Sequence, residues 1–184
     1  MKKPAEELGM LEKEWASGKR DTHIARRILF LAWYAVVEPS FVTGIDSTPY
    51  VKQVWHELLS VVERSAQNNL ESALILGYMA SFAPYVFGSD DVWLPKAQSL
   101  LENAYKIAKE QNRTKNELSL IGYNLAIAIE RVKANQSSNG VQNGDEGEVD
   151  ETFYISEDYV YFTDMFHGES EYDRYFARIF GCRK

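Results

Sequence analysis

A single cysteine, three histidines and the lack of any glycine-rich loop leave this chain of 184 residues with few of the parts that common enzyme chemistries need. Cys182 has no partner for an internal disulfide, so the fold does not depend on an oxidising compartment. Its neighbours Arg183 and Lys184 favour a thiolate, but a thiol at the extreme end of the chain reads as incidental rather than as a nucleophile. A three-histidine metal site would have to gather His23, His56 and His167 from distant segments. His56-Glu57-Leu58-Leu59-Ser60 opens like a zinc-protease motif, yet Ser60 stands where the second histidine is required. No phosphate-binding loop, Gly-x-Ser-x-Gly elbow or cysteine pair with metal spacing occurs. The expectation is a protein that is not an enzyme and that uses no cofactor and no metal.

Long apolar runs are also lacking. None approaches the ~20 residues of a membrane span, and Met1-Lys2-Lys3-Pro4-Ala5-Glu6-Glu7 turns acidic where a signal peptide turns apolar. A cytoplasmic chain that does not enter membranes is expected. What is present suits a packed core: 45% of residues are hydrophobic and 13% aromatic.

The scarcest feature is positive charge late in the chain, for no Lys or Arg lies between Ala134 and Asp173. Residues 1–133 hold 16 Lys+Arg and 16 Asp+Glu, whereas residues 134–184 hold 4 basic and 11 acidic, so the net charge of −7 belongs to the last part alone. That part also carries 10 of the 24 aromatics, between Phe153 and Phe180, which distinguishes it from an aromatic-poor solubilising tail. A neutral body with dispersed bases, joined to a segment that repels phosphate, argues against nucleic acid as partner.

The neutral part reads as helices. Asp21 or Thr22 caps a buried helix that Pro39 ends, and Thr48-Pro49 opens an amphipathic one. Asn69 opens Leu70 to Phe82, closed by Pro84 and Gly88; Asp90-Asp91 caps Val92 to Glu110; Thr114 caps Glu117 to Lys133. A helix from Glu6 to Ala16 precedes these, with Gly18 as its stop. Three triads, Leu31-Ala32-Trp33, Leu76-Gly77-Tyr78 and Ile121-Gly122-Tyr123, recur at an offset of 45 residues. Each sets an aliphatic, a small residue and an aromatic in order, as expected where the small residue lets helices approach and the aromatic fills the neighbouring groove. The fold class that follows is all-α, built of stacked antiparallel helical hairpins with a period of about 45 residues.

Ala97-Gln98-Ser99-Leu100-Leu101-Glu102-Asn103-Ala104-Tyr105 and Leu120-Ile121-Gly122-Tyr123-Asn124-Leu125-Ala126 give residues 5–133 an architectural resemblance to the tetratricopeptide-like helical-repeat proteins. The period is longer than the roughly 34 residues of a true tetratricopeptide unit. The resemblance implies protein or peptide binding and identifies no residue that performs it.

Three parts are expected: a helical body over 1–134, a polar and acidic loop over 135–150, and an acidic aromatic segment over 151–184 that docks on the body. In the last part Phe153-Tyr154-Ile155 and Tyr159-Val160-Tyr161-Phe162 have the composition of a small β-hairpin, and Ser170 caps a helix from Glu171 to Phe180. Carboxylates attract a basic protein from a distance and aromatics supply rigid contact once it arrives. The candidate binding residues are therefore Glu157, Asp158, Tyr159, Tyr161, Asp164 and Phe166, in an acidic inhibitor or immunity-type protein that covers a basic partner. Two alternatives place function on the body: a scaffold that uses the helical face, and a ligand-binding or enzymatic pocket near Trp33, Tyr78 and Tyr123.

Overall fold

The computed structural model describes residues 3–38, 43–45, 49–138, 162, 164–166 and 168–180, and the fold is stated for these. It is all-α: the described residues form seven α-helices and no strand. They are α1 (Pro4–Ala16), α2 (Thr22–Val37), α3 (Pro49–Ala66), α4 (Leu70–Phe82), α5 (Asp90–Glu110), α6 (Lys115–Ser138) and α7 (Glu171–Ile179), with a 3₁₀ turn, Pro84–Val86, after α4. Each helix from α1 to α5 packs on its successor, as stacked hairpins require. The even members also touch, α2 on α4 and α4 on α6, while α3 meets α5 on the other side. The helix α4 sits at the centre and buries ten of its thirteen residues, which is why its sequence is apolar on every face.

Local signals set most of the helix ends. The Asp21 carboxylate accepts from the amides of His23 (2.7 Å) and Ile24 (3.3 Å), and Asn69 accepts from the amide of Ser72 (2.9 Å). Gly18, at φ +95°, ends α1: its amide reaches the Trp15 carbonyl and that of Lys19 reaches Glu14. Asn112, at φ +53°, repeats the arrangement after α5. Thr114 and Glu117 then form a reciprocal cap, the Glu117 amide donating to Thr114 Oγ1 (3.2 Å) and the Thr114 amide to Glu117 Oε2 (2.8 Å).

Three expectations need correction. Asp90 and Asp91 are not caps: Ser89 holds that position and the two acids lie within the first turn of α5, where negative charge is favourable. The body does not stop at residue 134, because α6 runs to Ser138 through Asn135-Gln136-Ser137; Asn135 Nδ2 donates to Asp91 Oδ1 (2.7 Å) and ties the extension to α5. The repeated triads also differ. A Cβ on Gly77 would lie 2.8 Å from Leu101 Cγ, so this glycine does permit close approach, whereas one on Gly122 would meet nothing nearer than Tyr105 at 3.9 Å. Gly122 therefore has no such packing role, and Ala32 is partly buried.

Candidate functional site

The described part of the C-terminal segment packs on the body. Along α7, Tyr172, Tyr175, Phe176, Ile179 and Phe180 follow the i, i+3, i+4, i+7, i+8 spacing of one helical face. That face meets aromatics of α2 and α4: Phe30 lies 5.1 Å from Phe176 and 5.6 Å from Tyr172, Trp33 5.8 Å from Tyr175, and Tyr78 5.7 Å from Phe180, ring centre to ring centre. Ser170 caps the helix by accepting from the Asp173 amide (3.1 Å).

Polar contacts hold the segment at three carboxylates of the body, each already facing an arginine. Glu7 of α1 accepts from Arg27 through Oε1 (2.7 Å) and from the Glu171 amide through Oε2 (3.1 Å). Glu71 of α4 accepts from Arg26 through Oε2 (2.6 Å) and from the Tyr172 hydroxyl through Oε1 (2.6 Å). Glu117 of α6, beside Arg113, accepts from the Phe162 amide (3.3 Å). Arg113 in turn donates twice to Asp164, at 2.8 and 2.7 Å. Gln111, Asn112, Arg113, Thr114, Glu117 and Asp164 line a shallow recess there. Three arginines and four carboxylates meet along this seam, and what they do is retain the described residues of 162–180 against the helices.

The seam also alters acidity. Burial, and then the charge of Glu71, pushes the Tyr172 hydroxyl well above its ordinary value; burial raises Tyr175 and Tyr78 as well, the pair facing each other with 3.5 Å between hydroxyl oxygens. The hydrogen bonds to Asp164 raise Arg113 further and keep it charged.

Of the six candidate binding residues, Glu157, Asp158, Tyr159 and Tyr161 lie outside the described residues, as does the proposed hairpin apart from Phe162. Asp164 is exposed and engaged with Arg113. Phe166 is 4% exposed and packs on Tyr172, Phe176 and Phe180, so it belongs to the core and offers no surface to a partner. Among the repeat residues, Trp33 is fully buried and touches Tyr78, whereas Tyr123 is partly buried on α6. Tyr175 fills the space beside Trp33 and Tyr78, where the alternative reading set a ligand pocket. Among the described residues no three His, Cys, Asp or Glu side chains are grouped to hold a metal, and no helix is long and apolar enough to cross a membrane.

Sequence reasoning missed the receiving side of the seam, Glu7, Glu71 and Glu117. For Glu7 and Glu71 the available signal was Arg26-Arg27 within a largely apolar helix, since bases on a helix that packs in the core call for acids nearby.

Along the sequence the charge excess can be confined further. Residues 162–184 hold four acids and four bases, whereas residues 139–161 hold seven acids and no base. The whole net charge of −7 therefore resides in 139–161, between the end of α6 and the attachment at Phe162. No protein-family model matches the chain, and no curated protein or solved structure matches it either.

Proposed function

We propose that this chain is a non-enzymatic protein-binding module for a basic protein, in its most concrete form a cytoplasmic inhibitor or immunity-type protein that covers a cationic partner. One observation carries the reading: the chain bears all its excess charge in the 23 residues 139–161, while residues 1–138 and 162–184 are each balanced in sequence. Seven acids within one stretch repel one another, and a cationic surface relieves that repulsion while gaining speed of association. Phe153, Tyr154, Tyr159 and Tyr161 stand among those acids and supply contact area to a partner once it has arrived.

The test is a chain in which Asp145, Glu146, Glu148, Asp150, Glu151, Glu157 and Asp158 are all replaced by Asn or Gln, compared with the parent in pull-downs at low and high salt. The parent should retain a basic protein whose capture weakens as salt screens the attraction, and the neutralised chain should lose it. Equal capture by both chains would overturn the proposal.

A further inference from the structure

Four of the five large apolar side chains that the described residues expose share one end of the stack: Val36 (57%), Phe82 (50%), Tyr85 (62%) and Val92 (59%). Topology brings them there, because α2 and α4 end where α5 begins. The Phe82 ring lies 5.9 Å from Trp33, one helical turn before Val36; Tyr85 sits in the 3₁₀ turn after α4; and Val92 is in the first turn of α5. Single exposed apolar side chains need no explanation, but a group of them marks a contact surface.

The acidic stretch is rooted at the same end. Arg131 of α6 donates to the carbonyls of Ser81 and Phe82, the latter at 2.9 Å, and Asn135 donates to Asp91. The last turns of α6 therefore run between Phe82 and the start of α5. Glu38 follows α2 here, and Asp90 and Asp91 open α5. Of the bases at this end, Arg131 is held by the two carbonyls and Lys133 pairs with Glu130 at 2.7 Å, while Lys52 stands near the start of α3. Beyond Ser138 the next seven charged residues of the chain are all acidic.

We propose that this end is the docking surface for the basic partner, and that the partner presents an apolar side chain ringed by Lys or Arg. The inference rests on the reading that residues 139–161 recruit a basic protein. Charge complementarity selects the occupant: a second copy would bring the same acids face to face, which like-charge repulsion opposes. The two features divide the work. Acids act at a distance and set the association rate, while Val36, Phe82, Tyr85 and Val92 give the desolvated contact that slows dissociation.

The probe is a synthetic helical peptide with Leu and Trp on one face and Lys and Arg around it, titrated into the isotopically labelled full chain and followed by amide chemical shifts. A matched peptide with Glu in place of the bases is the control. Saturable shifts should appear around Val36, Phe82, Tyr85 and Val92 with the cationic peptide only. Combined Tyr85→Ser and Val92→Ser should raise Kd at least about tenfold with the remaining spectrum unchanged. Both side chains are mostly exposed, so these variants fold; Phe82 is left intact because it packs on Trp33 and Tyr78.

Shifts confined to residues 139–161, equal binding of the acidic peptide, an unchanged Kd in the double variant, or concentration-dependent shifts of the chain alone would each overturn the surface. The neutralised chain separates this from the reading beneath it. If that chain loses the cationic peptide while the Ser variants keep it, only the surface is wrong. If it binds as tightly as the parent, recruitment by the acids fails and the inference with it.

Discussion

The side of the stack that α7 covers and the end from which α6 departs are made of similar residues, aromatics and aliphatics beside acids, yet one is closed and the other open. On the closed side three acids of the body each have a base facing them: Glu7 with Arg27, Glu71 with Arg26, Glu117 with Arg113. Each carboxylate then has an oxygen that also accepts an N–H or O–H from the C-terminal segment, and the aromatic face of α7 follows those contacts into the core. At the open end Arg131 binds carbonyls and Lys133 a neighbouring acid, while Phe82 stays half exposed and Tyr85 mostly exposed. Aromatic content alone does not decide which surface is covered. Polar groups that complement the covering segment do.

The strongest way to break this contrast is Phe176→Ala. Its ring is fully buried between Phe30, Tyr78, Phe166 and Phe180, and truncation should lower unfolding stability by about 3–5 kcal/mol in denaturant titration. A loss below about 1 kcal/mol would mean that α7 is not part of the cooperative core.

Next in size is Tyr172→Phe, which leaves Glu71 Oε1 without its hydroxyl donor and should cost about 1–3 kcal/mol. The same residue makes stability depend on alkaline pH. Tyr172 titrates above the ordinary 10.0 when folded, so beyond that pH the unfolded chain releases a proton that the folded chain keeps, and stability falls as pH rises. Below pH 10.0 the group contributes no slope. Urea midpoints measured between neutral pH and about pH 11 should fall less steeply in Tyr172→Phe than in the parent, with Tyr175, Tyr78 and Tyr34 contributing to the slope that remains. Equal slopes would show that the Tyr172 hydroxyl is open to solvent.

Asp164→Asn is a smaller probe of the closed side. The carboxylate is 55% exposed, so losing its pair with Arg113 should cost only about 0.2–1 kcal/mol, while hydrogen exchange at the Phe162 amide nearby should accelerate. Smallest of all, Tyr85→Ser at the open end should alter stability by no more than about 0.5 kcal/mol. A larger loss would show that the open end is covered and erase the contrast.

Much of the body was legible because its signals are local. Asp21, Asn69, Thr114 and Ser170 cap through amides within three residues, and apolar spacing outlined α2 and α4. What escaped depends on distant partners. The last turn of α6 lies beside Asp91, 44 residues away, and nothing within Asn135-Gln136-Ser137 records that contact. The docking seam joins residues 45, 101 and 164 positions apart, so the acids that receive the C-terminal segment looked like ordinary surface charges on separate helices. Gly122 misled for a related reason: it copies the pattern around Gly77, but only Gly77 has Leu101 pressed against it. Phe166 looked like a contact residue because it stands among acids in sequence, whereas its ring packs into the core.

The attachment of α7 has one more consequence, for the integrity of the chain. Its hold on the body consists of ring contacts and of hydrogen bonds to Glu7, Glu71 and Glu117, none of which runs through the peptide bonds of residues 139–161. A single proteolytic cut within that stretch would therefore leave every one of these contacts chemically intact, as in a split protein.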